Sequence, residues 1–106
     1  MFGLVVRFEV RPDTADAFDA LVARTIPLIA EHEAGTIIYA VHRVDGEPHA
    51  RVFYELYRDH DAFEAHGDQP HIHHFVSGWR DLLVGPPRMT FLDPTATIGI
   101  PVTADA

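Results

Sequence analysis

The 106-residue chain contains neither cysteine nor lysine. Without cysteine, disulfides, thiolate catalysis and cysteine-ligated zinc or iron–sulfur sites are excluded. Sixteen acidic residues outnumber eight arginines and give a formal charge of −8. Binding to nucleic acid or to an anionic membrane is therefore not expected, because both require clustered positive charge.

Long apolar runs are also absent, since no segment approaches the roughly 20 residues that span a bilayer. The N-terminal sequence MFGLVVRFEVRPD lacks a basic leader before a long apolar run, so no signal peptide is expected. These absences favour a cytoplasmic protein. Hydrophobic residues make up 47% of the chain, which is enough for one domain with a single core.

The chain begins with the pattern of a strand followed by a helix. Alternating apolar residues place one strand face at Leu4, Val6, Phe8 and Val10. Apolar residues at helical spacing then predict a helix over about residues 14–33, with a kink at Pro27. A β-hairpin is predicted next, with strands over residues 36–44 and 50–57 around an Asp45-Gly46 turn.

The second helical region is predicted to consist of two pieces. An aspartate opens the first piece, which Gly67 interrupts. Asp68 caps the second piece, and Pro70 stands in its first turn, where proline is tolerated. The apolar stripe of this piece is expected to extend to Leu83, and residues 88–92 form a fourth strand.

The order β-α-β-β-α-β predicts an α+β, ferredoxin-like fold, with an antiparallel four-stranded sheet and both helices on one face. We assign Val5, Arg7, Phe53 and Tyr57, or their register partners, to the other face, which is too apolar to remain in water. A homodimer through this open face is therefore predicted.

The domain is predicted to comprise residues 1–92, followed by a tail over residues 93–106. Prolines break the tail, but it keeps apolar side chains at Ile98, Ile100 and Val102. It could therefore pack on the dimer partner.

Three segments between residues 33 and 75 form a recognisable arrangement: EAGTIIYAVHR, then FYELYRDHDAFEAH, then PHIHHF. Together they resemble the antibiotic biosynthesis monooxygenase family. The residues that match its pattern are Glu33, Gly35, Tyr39, Glu55, Tyr57, Asp59 or Asp61, Ala62, His66 and Phe75. The resemblance implies a dimeric α+β barrel. It also implies an oxygenase for quinols or polyphenols that uses neither metal nor flavin, so no cofactor is expected.

The same family includes haem-degrading enzymes and an isomerase of a sugar-derived signal. The haem-degrading branch uses an asparagine, a tryptophan and a histidine iron ligand, which an ungapped match places at Val6, His66 and Val76. All three residues differ here, so the resemblance favours the cofactor-free branch. An isomerase or a module that binds a small aromatic stays an alternative. A haem- or metal-dependent oxygenase has less support.

The stretch HGDQPHIHHF, which begins at His66, holds four of the eight histidines. His66 shares a helix side with Ala62 and Phe63, so it should face the cleft between helix and sheet. An imidazole there could deprotonate a phenolic hydroxyl, and we predict that His66 is the catalytic base. The structural alternative is a helix-end histidine that bonds a backbone carbonyl.

The other three histidines of the stretch, His71, His73 and His74, are predicted to lie mostly on a solvated helix surface. His71 and His74 could share a face and, with His66, approximate a three-nitrogen metal site. The restarted helix rotates them away from a simple common site, so no metal is predicted.

Four further residues are predicted to bind the substrate: Tyr54, Glu55, Tyr57 and Trp79. The tryptophan would offer a flat wall to a planar ring, although packing in the core explains an aromatic residue equally well. A half-buried carboxylate at Glu55 needs a partner, which Arg7 or Arg51 could provide in a structural ion pair. The sequence thus predicts a small cofactor-independent monooxygenase that oxidises a quinol-like or phenolic aromatic with O2.

Overall fold

The computed structural model describes residues 1–100 and contains four strands, three α-helices and one short 3-10 helix, Pro12–Thr14, in that range. Their bounds are β1 Phe2–Glu9, α1 Ala15–His32, β2 Thr36–Val44, β3 Glu47–Tyr57, α2 His60–Gly67, α3 Pro70–Trp79 and β4 Arg88–Leu92. This order confirms the predicted succession of elements, including the division of the second helical region into two pieces.

The four strands form one sheet in the order β2-β3-β1-β4, and every neighbouring pair is antiparallel. Side chains of α1 and α3, such as Phe18 and Phe75, belong to the same buried cluster as Val6 and Phe8 of β1. The helices therefore cover one face of the sheet. The predicted α+β, ferredoxin-like arrangement is confirmed.

The alternation along β1 places every second residue in the core. Leu4, Val6, Phe8 and Val10 are each at most 2% exposed, whereas their neighbours Val5 and Arg7 are partly exposed. Full burial of an aliphatic or aromatic side chain stabilises a fold by roughly 1.5–3 kcal/mol. This face of β1 is the centre of the core.

The assignment of Phe53 and Tyr57 to the open face is wrong. Both are fully buried in the cluster beneath the helices, because Phe53 pairs with Val6 and Tyr57 with Phe2 across β3 and β1. The two-residue period shows which side chains share a face, but it does not show which face the helices cover. The open face instead carries residues such as Tyr54, which pairs with Val5.

Several element ends differ from the prediction. The hairpin is confirmed, with Gly46 at a φ of 75°, but β3 begins at Glu47 rather than at Ala50. Gln69, not Asp68, is the N-cap of α3, because Asp68 ends α2 with its N–H bonded to backbone carbonyls of that helix. The helix α3 ends at Trp79, so Leu83 lies beyond it and pairs with Val10 in an isolated bridge.

Residues 93–100 continue from β4 with little burial, and Ile98 is 99% exposed. Val102, the last of the three apolar tail residues, lies outside the described residues. Packing of the tail on a partner stays a prediction. In the described part of the chain, no helix is both long and apolar enough to span a bilayer.

Candidate active site

Three helix ends meet at the candidate active site. Glu33 follows the last turn of α1, His66 lies in the last turn of α2, and His71 lies in the first turn of α3. Gly35 makes this approach possible, because a Cβ at that position would lie 2.6 Å from the Cβ of Ala62. The end of α1 can therefore contact α2 directly.

The carboxylate of Glu33 bridges two histidines. Its Oε1 lies 2.6 Å from Nδ1 of His66, and its Oε2 lies 2.5 Å from Nε2 of His71. The hydroxyl of Thr36 donates a further hydrogen bond of 2.8 Å to Oε1. An ionised carboxylate can only accept hydrogen bonds, so both imidazole nitrogens carry the protons in these bonds.

Burial and hydrogen bonding act in opposite directions on Glu33. Its side chain is 3% exposed, and burial alone would raise the pKa of the carboxyl group. The hydrogen bonds from His66, His71 and Thr36 outweigh burial and hold this pKa below its ordinary value of 4.5. Glu33 is therefore an anion at neutral pH, as its donors require.

The bond to Glu33 determines the tautomer of His66. Because Nδ1 carries a proton, a neutral His66 has an unprotonated Nε2. This nitrogen lies 3.8 Å from Oε1 of Glu55, and both residues line the same cavity. The arrangement orients one basic nitrogen away from Glu33 and towards Glu55.

The pKa of Glu55 is shifted in the opposite direction. Burial raises the pKa of its carboxyl group, and the hydrogen bond from Tyr57 offsets only part of that effect. The Tyr57 hydroxyl donates to Oε1 of Glu55 over 2.5 Å. Burial, together with Glu55, raises the pKa of Tyr57 above the ordinary tyrosine range. The site thus combines Glu33, whose pKa is lowered, with Glu55, whose pKa is raised.

The arginines expected as partners of Glu55 lie elsewhere. Arg7 is on the opposite face of the sheet and pairs with two exposed glutamates at 2.7 and 2.6 Å. Arg51 shares the face of Glu55, but it lies further along β3 and binds Asp19 of α1 over 2.9 Å. The partners of Glu55 are the Tyr57 hydroxyl and, at longer range, His66.

A cavity of about 190 Å³ lies between the helix-covered face of the sheet and the helices α2 and α3. Its apolar walls include Leu4, Val6, Phe8, Ile72, Phe75 and Trp79. His66, Glu55 and Tyr39 also line it. The rings of Tyr39 and His66 lie 5.5 Å apart, and burial raises the pKa of Tyr39 well above its ordinary value. The cavity is thus mostly apolar, and the ionisable residues described on its walls are His66, Glu55 and Tyr39.

The predicted site residues fall into two groups. The structure brings His66, Glu55 and Trp79 together around the cavity, with Tyr57 behind them in hydrogen-bonding contact with Glu55. Tyr54 points to the other face of the sheet, where it pairs with Val5 and Ala40. The structure therefore does not bring Tyr54 to this cavity.

Glu33, Tyr39 and His71 were not predicted as site residues. His71 was expected on the helix surface, but its side chain is only 6% exposed because it turns towards Glu33. The sequence signal for two of them is the family pattern that includes Glu33, Gly35 and Tyr39, which gives no chemical role to these residues. His71 also lines an open groove of about 720 Å³ between α1 and α3. Because its ring binds Glu33, it lies between that groove and the carboxylate.

His73 and His74 are exposed on α3, as predicted. His71 instead shares the carboxylate of Glu33 with His66. A different triplet, His60, Asp61 and Glu64, has side-chain ligand atoms within 4.8 Å of one another, but all three residues are exposed. Exposed acidic groups of this kind are common on protein surfaces.

Solved structures with this architecture come from several organisms. Rv0793 from Mycobacterium tuberculosis is 27% identical, with a TM-score of 0.83 over 91% of this chain and 96% of that chain. A protein of Nitrosomonas europaea, provisionally named an antibiotic biosynthesis monooxygenase, is 19% identical, with a TM-score of 0.86 over 91% of this chain and 100% of that one. A similarly named Caulobacter crescentus protein is 23% identical, with a TM-score of 0.85 over 90% of each chain.

Sequence comparison points to the same group. An uncharacterized protein of Synechocystis is 32% identical over 78 residues, which are 74% of this chain and 52% of the relative. The chain thus spans about half the length of that relative. The family model described as antibiotic biosynthesis monooxygenase matches residues 1–78, which include Glu33, His66 and His71. The chain belongs to the antibiotic biosynthesis monooxygenase family.

Proposed function

We propose that the protein is a cofactor-independent monooxygenase that oxidises a quinol-like or phenolic aromatic with O2, and that His66 is its base. The observation that carries the proposal is the 2.6 Å bond from His66 Nδ1 to Glu33. It leaves Nε2 as the basic nitrogen on the side of Glu55 and of a cavity with aromatic walls. General bases act at such nitrogen atoms when a substrate proton lies within hydrogen-bonding reach.

The substrate itself supplies the electrons in this reaction. His66 Nε2 removes the hydroxyl proton, and the resulting phenolate transfers one electron to O2. The superoxide and the aromatic radical then combine at a ring carbon to form a peroxide. The imidazolium then returns its proton to the outer oxygen of this peroxide. As the O–O bond breaks, the C–H bond at the same ring carbon also breaks, so a ring carbonyl forms, and the departing hydroxide takes this second proton and leaves as water. A hydroquinone and O2 thereby give a hydroxyquinone and one H2O, and no external reductant is needed.

Glu33 stabilises the charged stage of this cycle. When His66 takes the substrate proton, it becomes an imidazolium beside a buried carboxylate, and this pairing lowers the energy of the ion. Glu55 lies on the cavity beside His66, and burial raises the pKa of its carboxyl group. Trp79 and Phe75 provide flat walls for the ring.

A homodimer through the open sheet face remains part of the proposal, as does a cytoplasmic location. That face carries the partly exposed apolar residues Val5, Val52 and Tyr54. Tyr54 could act only from this face, so its predicted contact with substrate depends on the assembly. Light scattering after size exclusion measures the mass directly. A monomeric mass at micromolar concentration would contradict the proposed homodimer.

The test is oxygen consumption with a panel of hydroquinones and phenols, comparing the wild type with His66→Ala and with His74→Ala as the matched control. His74 lies exposed on α3, so its replacement should leave the rate unchanged. We expect His66→Ala to lose about 100-fold or more in kcat, the usual contribution of a general base. Equal rates in the wild type and His66→Ala would remove His66 from the mechanism.

A module that only binds an aromatic would behave differently. It would be stabilised against heat by the ligand without consuming oxygen. Thermal unfolding and oxygen consumption measured on the same panel therefore separate the two functions.

A further inference from the structure

We infer that the site selects a neutral aromatic with a single ring, such as a hydroquinone or phenol carrying only small alkyl groups, and rejects fused-ring and carboxylated aromatics. This inference rests on the proposed location of the site in the cavity beside His66. It goes beyond the proposed reaction because it names the size and the charge of the substrate.

The volume of the cavity sets the limit on size. An apolar cavity of ~150 Å³ is large enough to bind benzene, and the cavity beside His66 measures about 190 Å³. One ring with small substituents therefore fills the space. The cavity is partly open to solvent, so the four further carbon atoms of a second fused ring would either displace neighbouring side chains or lie outside the walls without their contacts. Close-packed interiors resist such movement.

The lining of the cavity sets the limit on charge. Among the described residues, none that lines the cavity is an arginine, although the chain has eight. Glu33, an anion, lies directly behind His66, and Glu55 lies on the cavity itself. A substrate carboxylate would lose its hydration, and a protonated His66 would already be paired with Glu33. Burying a charge with so little compensation is costly in an apolar site. The substrate is therefore uncharged before it reacts.

The positions of the polar groups place the substrate hydroxyl. His66 Nε2 and Glu55 Oε1 lie 3.8 Å apart, so one substrate hydroxyl can lie beside both groups and donate to the imidazole. The opposite walls are formed by Phe8, Ile72 and other apolar side chains. Alkyl substituents therefore fit away from the reacting hydroxyl.

Residues of α3 limit the space on one side. Trp79 is held by edge-on contacts with Phe8 and Phe75, with ring centres 5.1 and 5.0 Å apart. Val76 lines the cavity from the same helix but is only partly buried. Removing two methyl groups at Val76 enlarges the cavity with less disturbance of the core than a change at Trp79.

Two measurements test the inference. The first is kcat/KM for oxygen consumption with methylhydroquinone, 1,4-naphthohydroquinone and 2,5-dihydroxybenzoate. We expect methylhydroquinone to be preferred over the naphthohydroquinone by roughly 10-fold or more, the usual discrimination of an apolar pocket. The carboxylated compound should be worse by on the order of 100-fold, because its charge is buried unpaired. If 1,4-naphthohydroquinone or 2,5-dihydroxybenzoate has a kcat/KM equal to or higher than that of methylhydroquinone, the inference is overturned.

The second measurement is the binding of compounds that resemble the substrates, 4-methylphenol, 2-naphthol and 4-hydroxybenzoate, by calorimetry. Only 4-methylphenol should bind well to the wild type. If no compound is oxidised but this order of binding holds, the proposed reaction fails and the inference on size and charge stands. If quinols are oxidised through His66 but 2-naphthol binds as tightly as 4-methylphenol, the inference fails and the reaction stands.

A variant pair tests whether the walls cause the preference. Val76→Ala should improve kcat/KM for 1,4-naphthohydroquinone by roughly fivefold or more relative to methylhydroquinone, since extra volume serves only the larger ring. Val22→Ala is the matched control, because Val22 is a buried valine of α1 that does not line the cavity. An equal gain in both variants would show that general loosening, not the cavity wall, controls substrate size.

Discussion

Glu33 Oε1 and His66 Nδ1 are joined by a buried hydrogen bond of 2.6 Å, although 33 positions separate the two residues in the chain. The carboxylate that orients the imidazole also holds His71 through its other oxygen. A carboxylate that fixes the tautomer of a catalytic histidine and stabilises its charged form recurs in unrelated enzymes. Here a single glutamate accepts hydrogen bonds from two imidazoles, so its replacement should change both kcat and the stability of the fold.

Replacing Glu33 with glutamine should remove most of the activity. The amide has one acceptor oxygen for three donors, and its NH2 group would face an N–H of His66 or His71. His66 would then favour the wrong tautomer, and kcat should fall by about 10²- to 10⁴-fold. Unpaired buried donors should also cost about 1–3 kcal/mol of stability. Oxygen consumption and urea unfolding measure the two effects.

The control for this change is Glu31→Gln. Glu31 lies two residues earlier in α1 with its side chain 70% exposed, so neither activity nor stability should change measurably. If Glu33→Gln retained the wild-type kcat, the carboxylate would have no role in orienting the base.

His71 is predicted to act as a positioning residue through Glu33. In His71→Leu, the carboxylate loses one donor and concentrates its charge on His66. We expect kcat to fall about tenfold, which corresponds to losing part of the free energy of a charged hydrogen bond. The acidic limb of the pH profile of kcat should also move to higher pH. His71→Gln keeps a donor and should restore much of the rate, and His74→Leu should behave like the wild type. An unchanged pH profile in His71→Leu would show that His71 only fills space.

Much of the fold followed from periodicity in the sequence. The alternation at Leu4, Val6 and Phe8 identified the buried face of β1, and the Asp45-Gly46 pair located the hairpin. The faces of β3 could not be assigned, because apolar side chains such as Phe53 and Tyr54 occur on both of them. Only the pairing with β1 shows that Phe53 lies under the helices.

The candidate site was only partly predictable. His66 could be directed to the cleft because Ala62 and Phe63 mark the buried side of α2. Glu33 could not be assigned, because an acid at a helix end is usually solvated and its partners lie 33 and 38 positions away. His71 was placed on the surface for the same reason. Contacts between the ends of different helices leave no local period in the sequence.

Stability on the acidic side should depend on Glu33. Its pKa in the folded protein is lower than the ordinary value of 4.5, so the folded state releases this proton more readily than the unfolded state. The stabilisation is complete above about pH 4.5 and is lost as the pH falls through the folded pKa. The stability gap between the wild type and Glu33→Gln should therefore narrow below pH 4.5, as measured by urea unfolding at pH 7 and pH 3.5. A constant gap would show that Glu33 is not more acidic when folded.

Glu55 should produce the opposite trend. Its pKa in the folded protein is raised above 4.5, so the folded state holds a proton that the unfolded state releases. Stability therefore declines as the pH rises from about 4.5 through the folded pKa. Glu55→Gln mimics the protonated acid and should gain stability relative to the wild type between pH 4.5 and pH 7.5. A gain that does not grow over this interval would contradict the raised pKa.

Gly35 should be intolerant of even a methyl group, since a Cβ there would lie 2.6 Å from the Cβ of Ala62. Gly35→Ala should push α2 away from the end of α1, cost about 1–3 kcal/mol as overpacking does, and weaken the Glu33–His66 bond. The double variant Gly35→Ala/Ala62→Gly moves the methyl group to the other side of the contact and should recover part of both stability and activity. A double-mutant cycle by urea unfolding gives the coupling energy directly. Strict additivity of the two changes would mean that the two residues do not share this contact.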